Sequence, residues 1–232
     1  MRRVALVLAL LLPFTAFAGM QKYEPLSESV RAALSRAISD QAPPRSSFLD
    51  SMDAVDWLTE MSRRLEKRIA NRESRLEFLR AVHYEATRAG LDPQLVLGLI
   101  QVESGFKKYA VSSAGARGFM QVMPFWIKVI GRSSDNLFHL RTNLRYGCTI
   151  LRHYLDIEQG DLYRALGRYN GSLGQAEYPN LVRGAWHNQW AYSRDKMKTS
   201  AFRATFPSSL ASSWPYLRRR TVSSFSAFAQ TA

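Results

Sequence analysis

Between residues 53 and 190 the apolar side chains return every three or four positions, while few runs alternate with the period of two that a strand needs. That pattern confines the chain to helices packed on helices. Asp53 reads as the cap of a helix with Trp57, Leu58, Met61, Leu65 and Ile69 on one side. Asn71 caps the next, whose face carries Leu76, Leu79, Val82 and Ala86 and which Gly90 ends. A loop from Gly105 to Arg117 follows a third helix, then a helical turn around Gly118–Met123. Further helices are predicted from Pro124 through Ile130, over Asn143–Leu155 and over Leu162–Tyr169. The fold class is therefore mostly α.

The helix after Gly90 carries the most chemistry. Asp92 is a good N-cap and Pro93 suits the first helical position. Val96, Leu99, Ile100 and Glu103 fall on one stripe, so a carboxyl group shares a face with three aliphatic side chains. Burial there disfavours the charged form and keeps a proton on the acid near neutral pH, as proton donation to a leaving oxygen requires. The alternative is a carboxylate that reaches water from a frayed last turn.

The two ends read differently from this middle. Met1-Arg2-Arg3, the apolar run Val4–Leu12 and the small residues around Ala16-Phe17-Ala18 predict a secretory signal peptide cut after Ala18, the alternative being an inner-membrane anchor. The run is short for a spanning helix, and no Cys follows the cut to take a lipid. Residues 19–52 form an N-terminal arm or linker, with a short helix over Glu28–Ile38 and a breaker at Ala42-Pro43-Pro44-Arg45. Residues 53–193 form the helical domain, and 194–232 a basic tail rich in Ser and Ala that lacks periodicity and reads as disordered.

The lone Cys148 shares a face with Leu144, Leu151 and Leu155 and reads as a core residue, and the four His residues show no close pairing, so no metal site is expected. Loss of Arg2 and Arg3 with the leader takes the formal net charge from +13 to +11. Such a charge attracts polyanions, yet no nucleic-acid motif is present and nucleic acid is not an expected partner.

Three segments stand together in one order. They are Glu103-Ser104-Gly105-Phe106 with Ala110-Val111-Ser112, then Gly115 to Pro124, then Ala165-Leu166-Gly167-Arg168-Tyr169-Asn170-Gly171. In that order and spacing they resemble the soluble lytic transglycosylase family, whose catalytic domain is lysozyme-like, over roughly residues 75–190. The resemblance implies a lysozyme-like helical domain with an N-terminal helical extension. It also implies cleavage of the β-1,4 bond between N-acetylmuramic acid and N-acetylglucosamine in peptidoglycan without water, leaving 1,6-anhydromuramoyl ends. On the same resemblance Glu103 is the catalytic acid and then base, and Ser104, Met120, Gln121, Tyr169 and Asn170 are substrate-binding residues; Ser112, through its hydroxyl, is a further substrate-binding candidate.

The residue chemistry agrees in part. Two-carboxylate glycosidases need a second acid, and Asp135 and Glu177, the nearest candidates, stand in polar stretches. The substrate's own N-acetyl oxygen can take that role. Ser112 alternatively turns the loop, Gln121 alternatively serves as a core amide, Tyr169 alternatively packs, and Asn170 alternatively caps a helix. Phe106, Phe119, Met123 and Trp126 read as core. Departures from the family pattern include Lys107-Lys108-Tyr109 before Ala110, Phe119 in place of Leu, Arg168 in place of a small residue, and Leu181 in place of Tyr. The Lys pair suits acidic stem peptides or a solvated loop. The expected protein is a periplasmic monomer without cofactor, with peptidoglycan glycan strands as partner. Envelope protein partners stay open, as do a hydrolytic muramidase and a non-catalytic wall-binding protein.

Overall fold

The structure, a computed structural model, describes residues 21–39 and 52–193. The expected signal peptide, the breaker at 42–45 and the tail from 194 lie outside the described residues. Those up to Ala191 belong to one compact unit. Its helices are α1 (Glu28–Ser39), α2 (Met52–Leu65), α3 (Arg72–Arg88), α4 (Pro93–Ser104), α5 (Phe125–Ile130), α6 (Leu140–Ile157), α7 (Leu162–Asn170) and α8 (Glu177–Ala185). Trp186–Trp190 continues α8 as a π-helical turn. Among the described residues there is no strand and no helix long and apolar enough to cross a membrane.

Two of the three expected caps form. Asn71 accepts a hydrogen bond from the Ser74 amide at 2.8 Å, and Asp92 from the Gln94 amide at 2.7 Å. Asp161 does the same at α7, accepting from the Arg164 amide at 3.1 Å. The predicted faces are the buried ones: Trp57, Leu58, Met61 and Leu65 of α2, Leu79, Val82 and Ala86 of α3, and Leu144, Cys148, Leu151 and Leu155 of α6. Helix α2 begins at Met52 rather than after Asp53, and it ends at Leu65, leaving Ile69 in the turn beyond.

Helix α4 is the centre of the unit, with α3 on one side and α8 and the π-helical turn on the other. Gly98 makes the second contact possible, because a Cβ there would stand 2.9 Å from the Trp186 backbone nitrogen. Helix α6 packs against α3 and α7, and α1 lies over α5 and α6. Between α2 and α3 the buried Arg75 donates to Ser62 Oγ at 2.8 Å and to the carbonyls of Ile69 and Ala70 at 2.8 and 2.9 Å, which satisfies a chain reversal that would otherwise bury bare oxygens.

Two expectations need correction. Gly118–Met123 is not a helical turn. Gly118 and Gln121 adopt positive φ of 75° and 47°, and Arg117 forms isolated antiparallel bridges to Val111 and Val122. Left-handed residues cannot propagate a right-handed helix, so the segment folds back on itself as a bridged loop. The stretch around Glu177, where no helix was expected, is α8: Glu177 is exposed, while Tyr178, Pro179, Val182 and Ala185 are buried.

Candidate active site

The last turn of α4 brings Glu103 to the end of its buried stripe, where the left-handed Gly105, φ 56°, caps the helix by donating to the Gln101 carbonyl at 3.1 Å. Val96, Leu99 and Ile100 are fully buried and Glu103 is 4 % exposed, so the carboxyl does not fray into water. Tyr178 of α8 donates its phenolic proton to Glu103 Oε1 at 2.5 Å. Burial first, then the Glu103 charge and this hydrogen bond, hold the Tyr178 phenol well above its ordinary pKa, so it remains a neutral donor.

In front of Glu103 lies an open cavity of about 530 Å³, whose walls include Ser104, Ser112, Gln121, Arg68 and Lys107. Ser104 donates to the Ile100 carbonyl at 3.2 Å, back along its own helix. Ser112 Oγ accepts from the Ala116 amide at 3.1 Å, so it does turn the loop while still lining the cavity. Gln121 is 1 % exposed and donates through Nε2 to the carbonyls of Ala110, at 3.1 Å, and Gly118, at 2.9 Å. Its nitrogen is therefore committed to the loop.

The other three candidates make their contacts away from this lining. The Met120 side chain is fully buried against Gly147, where an added Cβ would fall 2.4 Å from its sulfur. Tyr169 is also fully buried and donates to the Met120 carbonyl at 2.7 Å. Burial, reinforced by the Glu103 charge, pushes its phenol well above the ordinary range. Asn170 ends α7 and donates through Nδ2 to Ser172 Oγ at 3.1 Å. None of the three lines the cavity at Glu103. Phe106, Phe119 and Trp126 are buried, as expected of core residues.

Sequence reasoning missed Tyr178 and Asn143. Nothing local marks Tyr178, since the fold alone brings it to a glutamate 75 residues away. Asn143 is fully buried; it accepts from the Met120 amide at 2.8 Å and donates to the carbonyls of Arg117 and Leu137 at 2.8 and 2.9 Å. It thereby fastens the bridged loop to α6. A polar residue on the otherwise apolar face of a predicted helix was the signal available.

Neither expected rival for a second carboxylate reaches Glu103. Asp135 accepts from Tyr146 Oη at 2.5 Å and from the Arg132 amide at 2.9 Å in a different cavity, and Glu177 is exposed at the start of α8. Among the described residues Glu103 is the one acid lining its cavity.

A helical, lysozyme-like domain with a single buried carboxyl group facing an open cleft is the class that this fold and site define. The family model described as Transglycosylase SLT domain matches residues 80–183, a segment that holds Glu103 and the bridged loop. A transglycosylase of Enterobacteria phage PRD1 is 34 % identical over 103 residues, 44 % of this chain and 38 % of the phage protein. A membrane-bound lytic murein transglycosylase C of Mannheimia succiniciproducens is 46 % identical over 84 residues, 32 % of this chain and 24 % of the relative. The protein of the same name from Actinobacillus pleuropneumoniae serotype 5b is 50 % identical over 48 residues, 21 % of this chain and 13 % of the relative. The match thus spans well under two thirds of the length of each of these relatives.

Proposed function

We propose that the domain is a peptidoglycan lytic transglycosylase of the periplasm, cutting the β-1,4 bond between N-acetylmuramic acid and N-acetylglucosamine without water. Glu103 is the catalytic residue. Its carboxyl proton passes to the glycosidic oxygen as the bond from that oxygen to the muramoyl C1 breaks, and N-acetylglucosamine leaves with a free 4-hydroxyl. The N-acetyl oxygen of the muramoyl ring stabilises the electron-poor C1. The Glu103 carboxylate then takes the proton of the ring's 6-hydroxyl as that oxygen bonds to C1. The 1,6-anhydro ring closes, the acid regains its proton, and no water is consumed.

The observation that carries this reading is a buried carboxyl that is the one acid lining its cavity among the described residues. Both two-carboxylate mechanisms need a second acid across the scissile bond, whereas substrate assistance needs one. Burial favours the protonated form that begins the cycle, and Tyr178 stabilises the carboxylate that exists halfway through it. These opposed influences suit a group that must be acid and base in one turnover. The names of the relatives point the same way. Ser104, Ser112 and Gln121 meet the glycan from the cleft wall, while Met120 and Tyr169 support the loop that carries Gln121.

Purified sacculi provide the test. The wild-type protein is expected to release muropeptides one water lighter by mass than hydrolytic products. Glu103→Gln is expected to lose about 100- to 10,000-fold in release, the range typical of removing a general acid–base, while still binding sacculi. Unchanged release by that variant would refute the mechanism, and hydrated reducing ends would make the enzyme a muramidase.

A further inference from the structure

Where α1 crosses α5 and α6 there is a second cavity, of about 520 Å³, which shares no lining residue with the cleft at Glu103. Three arginines reach it from three different places: Arg36 in the last turn of α1, Arg132 just after α5, and Arg141 in the first turn of α6. All three are exposed, and among the described residues none of them forms an ion pair. Arg145 lines the cavity as well, but its guanidinium is 2.9 Å from the buried Glu85 carboxylate. Asp135, the one carboxylate on the wall, is already engaged by the Tyr146 hydroxyl and the Arg132 amide.

Like charges gathered in one concavity repel one another, and an open surface offers them room to spread. Here all three line one open volume at the helix crossing; Glu85 is taken by Arg88 and Arg145, and Asp135 is the single carboxylate beside them. Guanidinium groups present planar forks that match phosphate oxygens two at a time. Three such forks suit a ligand with more than one negative charge better than a single carboxylate.

We propose that this cavity is a binding site for a phosphate-bearing ligand, a phosphomonoester or diphosphate group, separate from the glycan cleft. The group can belong to a soluble molecule or to a lipid headgroup. Calorimetric titration of the full chain with inorganic pyrophosphate at physiological ionic strength tests the site. The variant is the triple Arg36→Gln, Arg132→Gln, Arg141→Gln. Its control is Arg72→Gln, Arg80→Gln, Arg183→Gln, which removes the same charge from exposed positions elsewhere. Both triples alter exposed side chains, and an unchanged circular dichroism melt verifies the fold; Arg141→Gln alone serves if the cavity triple melts early.

Saturable 1:1 binding in the wild type and the control, weakened at least tenfold in the cavity triple, is the expected result. Absence of saturable binding, or equal weakening in the two triples, would overturn the proposal and leave only diffuse charge. Sedimentation with vesicles containing phosphatidic acid, a phosphomonoester lipid, against phosphatidylcholine vesicles then separates the sources. Pulldown lost only in the cavity triple assigns a headgroup, and pulldown indifferent to that triple assigns a soluble phosphate. Muropeptide release from sacculi should be the same in all three proteins, so this test does not depend on the assignment of Glu103.

Discussion

Two influences act on the Glu103 carboxyl group in opposite directions. The aliphatic stripe of α4 removes water from the carboxyl, and Tyr178 returns one strong donor to it. Hydrogen bonds to a charged group contribute about 1.5–3 kcal/mol. Tyr178→Phe should therefore cost about 10- to 100-fold in kcat/KM. Because the lost donor favoured the charged form, the alkaline limb of the pH–rate profile should also move upward. A purely structural role for Tyr178 would leave that limb where it was. A different titration governs stability. His83 stacks edge-on against Trp57 with ring centroids 5.3 Å apart, and burial lowers its pKa from 6.5 to about 4. The unfolded chain then takes up a proton more readily than the folded one. Its contribution is intact above pH 6.5 and is lost as the pH falls toward about 4. Melting temperatures measured across that window should fall less steeply for His83→Gln than for the wild type.

At the scale of elements, the helices that could be read in advance are those whose start is written locally. Asn71, Asp92 and Asp161 all cap as their chemistry dictates. Helix α8 has no such signal. Its N-cap, Ala176, makes no side-chain hydrogen bond, and Pro179 stands in the first turn, where a missing amide proton costs nothing but also advertises a turn. The bridged loop was misread for a related reason, since a left-handed Gln121 is imposed by its bonds to Ala110 and Gly118 and not by its type. Helix α4 supplies a direct check on how elements meet. By helix propensity alone Gly98→Ala should stabilise by about 1 kcal/mol. Because the new methyl would strike the Trp186 backbone, the expected result is instead a loss of about 1–3 kcal/mol in urea unfolding.

Across the whole unit, the segment before α1 is more than a linker. Gln21 is 4 % exposed, and its Oε1 accepts from the Trp126 indole at 3.0 Å and from the Met123 amide at 3.3 Å. Glu24 pairs with Arg168 at 2.9 Å, and Arg168 also holds Glu158. The arginine that departs from the family pattern thus ties α7 to the end of α6 and to the arm. The exposed Glu24 pair adds little on its own. Gln21 matters more, because removing it strands a buried indole N–H. Gln21→Ala should destabilise by about 1–3 kcal/mol, read as a lower denaturation midpoint with an unchanged slope.

The amino-acid order by itself determined the helical class, the caps, the buried face of each long helix and the acid at the end of α4, because each is set by spacing within one turn or two. Only the tertiary structure decided which residues face the cleft and which do not. It also decided that Tyr178 is a partner of Glu103 and that Arg36 shares a cavity with Arg132 and Arg141, about a hundred positions further on. Those relations join helices whose mutual placement depends on where backbones can approach, as at Gly98, and on which buried polar groups find partners, as at Asn143. A local pattern can flag such a residue, as it does Asn143, but not its partners, which become neighbours only on folding.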